Sequence, residues 1–149
     1  MDPNELFYPW KEVRKDLIRM VAWFSEEDLF FKPAPNCWLV GETFLHIAEC
    51  EDYWIHAMVR KELPLDLHYD MGQYPSGRAI RKRLELSHER SMQFIEGLKQ
   101  PDLAWRFTTP AGETLTLYEI LWHVIEHEVH HRGELSLILG LLGRKGLDV

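Results

Sequence analysis

Of the eight histidines in this 149-residue chain, four fall within nine positions: His123, His127, His130 and His131. Residues four apart on an α-helix sit about 40° round and roughly 6 Å along from each other. The imidazoles of His123 and His127, or of His127 and His131, can therefore converge on one ion. At about 100° per residue, the helix carrying them has an apolar stripe of Leu117, Ile120, Leu121, Val124, Leu135, Ile138, Leu139 and Leu142. His131 lies inside that stripe and His127 on its edge. His123 and His130 fall outside it, toward Glu119 and Glu126, and are expected to face solvent. Two ligands hold a divalent ion weakly, so a third must come from another helix. His46 is the candidate, on the flank of an arc formed by Val40, Ile47, Trp54 and Met58, where Thr43, Cys50 and Ala57 leave room for an ion. His56 is expected on the polar side of that helix, and His68 and His88 have no His partner at ligand spacing. Three neutral imidazoles leave a metal its full charge and an open position, which acidifies a bound water or thiol. One divalent ion per chain is expected, and zinc, nickel, iron and copper all suit this donor set.

The same residues admit other chemistry. His127-Glu128-Val129-His130-His131 fits HExxH, the zinc peptidase pattern with Glu as general base. The further His of the extended pattern is replaced by Leu137, however, and too little chain follows for a glutamate ligand on another helix. Glu128 to His131 also fits the ExxH of di-iron bundles, but those need a second ExxH, which is absent. A mononuclear three-His site is preferred, with no residue assigned as acid or base. Glu128 and Arg132, four apart, are expected to pair with each other. Glu49 and Glu51 are read as solvated or ion-paired, Cys50 as a small buried thiol, and Arg78, Arg81, Lys82 and Arg83 as a charged helix face.

Positioning these groups takes four helices. Apolar residues at steps of three and four run from about Asn4 to Phe24, from Val40 to Arg60, from an N-cap at Ser76 to Leu98, and from Leu117 to Leu142. Pro33 and Pro35, then Pro64 and Pro75, then Pro101 and Pro110 mark long connectors between them. Thr116 and Glu119 stand in capping-box order before the last helix. No strand-rich segment competes, so the expectation is an all-α four-helix bundle, a single domain over residues 1–149. The balance of 17 Lys plus Arg against 24 Asp plus Glu gives −7, which disfavours nucleic acid as a partner. No signal peptide or membrane-length apolar run is read. Two cysteines, neither in a CxxC pair, suit a reducing compartment, so a cytoplasmic protein is expected. High aromatic content, with Glu128 and Arg132 intruding on an apolar stripe, suggests a homodimer through helix faces.

Val40-Gly41-Glu42-Thr43-Phe44-Leu45-His46-Ile47-Ala48-Glu49, with His127-Glu128-Val129-His130-His131-Arg132-Gly133-Glu134 far downstream, resembles the DinB/YfiT-like superfamily of bacterial metal-binding bundles. The likeness covers nearly the whole chain. It implies a metal held by His46, His127 and His131, the three residues chosen above on geometry. Glu134 stands where that family usually has Gln. The resemblance further implies a small-molecule substrate, possible chemistries being S-transfer with a low-molecular-weight thiol or metal-dependent hydrolysis. A non-catalytic metal-binding or stress-response protein is the alternative.

Overall fold

A computed structural model describes all 149 residues. Helix α1 spans Pro3–Phe7 and α2 Pro9–Val21. The expected single helix from Asn4 to Phe24 is thus two, because Pro9 has no N–H to donate and is accommodated in the first turn of a new helix. Asp2 caps α1, its Oδ1 accepting from the Asn4 N–H at 2.8 Å. Helix α3, Val40–Glu51, continues without a break into a π-helical segment, Asp52–Val59. Helix α4 is Gly77–Glu96, with Ser76 Oγ accepting from the Ala79 N–H as its cap. Helix α5 is Leu117–Leu141, and its capping box forms as expected: Thr116 Oγ1 accepts from the Glu119 N–H, and Glu119 Oε2 accepts from the Thr116 N–H.

The sequence reading has no strand, yet a short antiparallel hairpin joins α4 to α5: β1, Arg106–Thr108, pairs with β2, Thr114–Thr116, with Phe107 opposite Leu115. Gly112 turns the hairpin at φ +89°, a conformation that favours glycine. Strands of three residues are too short for alternation to register as a pattern.

The interior consists of two apolar clusters with a polar layer between them. One cluster joins Leu17, Met20 and Phe24 to Val40, Phe44 and Ile47, Ile80 and Leu84, and Leu135 to Leu139. The other joins Phe7 and Trp10 to Ile55, Met92 and Ile95, and Leu117 to Ile125. These memberships show that α2 and α5 run one way and α3 and α4 the other, so residues 60–76 must cross the length of the bundle. Arg14, Glu51, Asp52, Ser87, His88, Ser91 and Glu128 lie between the clusters, all buried. The Arg14 guanidinium donates from Nη2 to Glu51 Oε2 at 2.7 Å and from Nε to Glu128 Oε1 at 2.8 Å. Trp10 Nε1 donates to Glu128 Oε2 at 2.6 Å. Burial alone would push the Glu51 carboxyl up, but Arg14, with help from His88 and Ser91, holds it down at about 2.

Two expectations change here. Glu128 does not pair with Arg132. It turns inward to Arg14, and Arg132 lies 3.7 Å from Asp16 instead. This removes the intruding-charge argument for a dimer. His56 is buried, with Nε2 at 3.1 Å from Ser91 Oγ and Nδ1 at 3.2 Å from an Arg60 nitrogen. A π-helix bonds i to i+5 and winds wider than an α-helix, so the α-helical projection that put His56 on the polar side fails beyond Glu51. Trp122 is exposed, whereas Trp10 is buried.

Candidate metal centre

His46 projects from α3, and His127 and His131 project from successive turns of α5. Nε2 of His127 lies 2.9 Å from Nε2 of His46. One nitrogen from each of the three rings falls within 4.8 Å of the other two. The three rings meet with centroids 4.4 to 5.1 Å apart. Among His, Cys, Asp and Glu, one other group of this kind exists, His130, His131 and Glu134, which shares His131 with the first. Of the α5 histidines only His131 is buried. His127 is half-buried, and His123 and His130 are exposed, as the helix projection expects.

Burial first, then the neighbouring His131 and His46, push the His127 imidazole down to about 3. His46 is lowered by the same burial and by His131. Both rings are therefore neutral at ordinary pH and offer lone pairs, the form a metal needs. His127 Nδ1 is buried without a partner. An ion with metal–nitrogen distances of about 2.0–2.1 Å needs His46 and His127 to part by only a few tenths of an ångström. Donor type, protonation and spacing all fit a divalent cation.

The His131 ring is held from outside the triangle by Glu134, whose Oε2 lies 2.6 Å from His131 Nδ1. Trp38, from the connector between α2 and α3, lays its ring against His46 at 4.4 Å and against His131 at 5.9 Å. Glu49 sits 4.0 Å from His46 Nδ1 but spends its Oε2 elsewhere, accepting from the Tyr69 N–H at 2.8 Å and meeting His68 Nδ1 at 2.8 Å. It thus pins the 60–76 crossover over the site. Glu51 belongs to the polar layer. Both acids are ion-paired or hydrogen-bonded, as expected. Cys50 is buried and its thiol is pushed up to about 12 by burial and by Glu51, Glu49 and Glu128, so it stays protonated.

Three cavities touch the triangle. One of about 380 Å³ is bounded by Tyr53 and Trp54 from the π-helical segment, Leu65 and Leu67 from the crossover, and His123 beside His46 and His127. A second, about 310 Å³, lies behind Trp38 with Glu42, Glu49 and Asp70. The third, about 380 Å³, meets His131 between Trp38 and Leu137. No Lys or Arg lines any of them. The HExxH reading loses its base here, because Glu128 is wholly buried and committed to Arg14 and Trp10 on the far side of α5.

Sequence reasoning missed Trp38, Glu134 as a partner of His131, and Arg14. Arg14 left a signal: it falls on the stripe of Trp10, Leu17 and Val21, where a charge has no business unless it is paired inside.

Residues 10–135 match the sequence model of the DinB superfamily. The chain is 32% identical over 135 residues to the uncharacterized protein YizA of Bacillus subtilis strain 168, covering 87% of this chain and 80% of that one. A crystal structure of a DinB-like protein from Bacillus cereus ATCC 10987 is similar with a TM-score of 0.77 at 18% identity, over 96% of this chain and 94% of that chain. The DinB-like protein YjoA of Bacillus subtilis gives 0.73 at 18% identity, over 91% and 90%.

Proposed function

The chain belongs to the DinB superfamily, and on that premise we propose that it binds one divalent metal ion through His46, His127 and His131 and acts there on a small-molecule substrate, by thiol S-transfer or by hydrolysis. The observation that carries this reading is a triangle of three converging imidazoles bordered by cavities of substrate size. A bound ion would supply Lewis acidity and ease the ionisation of a water or thiol. The chain itself supplies the rest. Helix α5 fixes His127 and His131 one turn apart, and α3 sets the distance to His46. Tyr53, Trp54, Leu65 and Leu67 give the cavity beside His46 and His127 an apolar wall suited to the body of a small organic molecule. With Glu42, Glu49 and Asp70 facing the neighbouring cavity and no cationic side chain in any of the three, the site favours neutral or cationic molecules over polyanions.

No helix is long and apolar enough to cross a membrane, and both cysteines are free thiols; we place the protein in a reducing cytoplasm. Tyr118, Trp122, Val129, Leu137 and Leu141 stand exposed along α5, and a second copy is the partner we propose for them. Sedimentation that finds only a 17.7 kDa species at micromolar concentration removes that partner. Metal analysis with anomalous scattering on untagged protein tests the site. A screen of thiol S-transfer and of amide and ester hydrolysis, run on metal-loaded and metal-free protein together, tests the chemistry. Activity confined to the loaded form is expected. Equal rates in both forms overturn the metal's role, and silence in both gives the place to a non-catalytic metal-binding protein.

A further inference from the structure

The geometry points to Glu134 as a positioning residue that fixes the tautomer of His131 and raises its strength as a metal ligand, an inference that rests on the metal-binding reading above. His131 Nδ1 lies 2.6 Å from Glu134 Oε2. Two donors to one tetrahedral ion stand about 3.3 Å apart, so these two atoms are closer than shared ligands and lie at hydrogen-bond distance. The contact is a hydrogen bond. A carboxylate only accepts, so a proton sits on Nδ1, and in that tautomer of the ring Nε2 carries the lone pair that can join His46 and His127. A hydrogen bond to a charged acceptor is roughly twice as strong as one to a neutral acceptor. Drawing the Nδ1 proton toward a carboxylate also makes the other nitrogen a better donor to metal.

Glu134 itself is half exposed, and a lone carboxylate there would wander. His130 prevents this. Its Nε2 lies 3.1 Å from Glu134 Oε1, so the two oxygens are shared between two imidazoles. The i, i+3 and i, i+4 spacings on α5 make both contacts possible at once. This gives His130 a task although it stands outside the triangle. It also distinguishes the two α5 ligands, because His127 Nδ1 has no partner at all.

The test uses the untagged full chain and zinc alone. Glu134→Gln keeps the shape and an accepting oxygen but removes the charge. Zinc affinity, measured by competition with a chromophoric chelator, is expected to weaken by about tenfold or more, while the melting temperature of metal-free protein stays the same. His130→Ala is expected to weaken it less. Nitrogen-15 spectra of the metal-free wild type should show His131 protonated on Nδ1, and Glu134→Ala should convert it to the other tautomer or a mixture. Unchanged zinc affinity in Glu134→Gln overturns the inference, as does an Nε2-protonated His131 in the wild type. Two zinc ions per chain, falling to one in both variants, would make Glu134 and His130 direct ligands and overturn it as well. Failure of the wild type to bind zinc with the Nδ1 tautomer intact would instead sink the metal reading and the ligand-strength half of the inference with it.

Discussion

His127 and Glu128 are neighbours in sequence, about 100° apart on α5, and they belong to opposite kinds of polar chemistry. Glu128 enters the polar layer, where Arg14 and Trp10 donate to its carboxylate and Arg14 also donates to Glu51. His127 enters the triangle, where three bases of one kind face each other, no opposite charge lies among the three, and one ring nitrogen has no partner. The layer pairs opposite charges within the chain and serves the fold, although Glu51 Oε1, Asp52 Oδ1 and both ring nitrogens of His88 have no hydrogen bond. The triangle gathers three bases with no cation among them, which is the condition of a site that waits for something from outside.

Breaking the layer should have the largest effect. Arg14→Met leaves Glu51 and Glu128 buried without their cation and should cost about 3–5 kcal/mol, read as a lower midpoint in chemical or thermal unfolding. If Arg14→Met unfolds like the wild type, the layer is not what holds the bundle's middle together. Breaking the triangle should do the reverse. His46→Ala, His127→Ala and His131→Ala should each lower metal affinity by more than the roughly 10–100-fold that loss of an outer partner costs, with the apo fold kept. Full metal content after losing any one of them removes that residue from the site. His123→Ala and His130→Ala should still load metal.

Smaller effects sharpen the contrast. Trp10→Phe keeps the ring but removes the N–H that satisfies Glu128 Oε2, and should cost about 1–3 kcal/mol, again by unfolding. Titration separates the two regions by pH. His127 moves from 6.5 to about 3 on folding, and His46 is also lowered. Below pH 6.5 the unfolded chain takes up protons that the folded chain refuses, so metal-free protein is fully stabilised by these rings above that value and loses stability as the pH falls toward 3. Glu51, lowered from 4.5 to about 2, adds its loss only below 4.5. Thermal melts of metal-free wild type and His127→Gln should therefore diverge between pH 6.5 and 4.5, the variant losing less. Parallel curves across that window would contradict the burial of a neutral His127.

The triangle was legible because it depends on helical spacing alone: His127 and His131 four apart, both on the inner side of a long regular helix, and His46 on the flank of another. The bundle was legible for the same reason. What escaped depends on contacts between distant segments or on departures from regular winding. Glu128 was matched with Arg132 because a helix projection sees only its own residues, and Arg14 is 114 positions away. His56 was misplaced by the π-helical winding, which no pattern of residue types announces. Trp38 sits in a connector with Pro33 and Pro35, where periodicity has nothing to say about which way a ring faces.

Trp38 gives the site an optical voice. Trp38 is 48% exposed and its ring meets His46 edge-on and His131 at a tilt. An open-shell ion held by those imidazoles would drain the excited state of an indole in contact with them. Nickel or copper would then dim the intrinsic emission of the chain while zinc left most of it, so occupancy and ion type could be followed in solution without label or substrate.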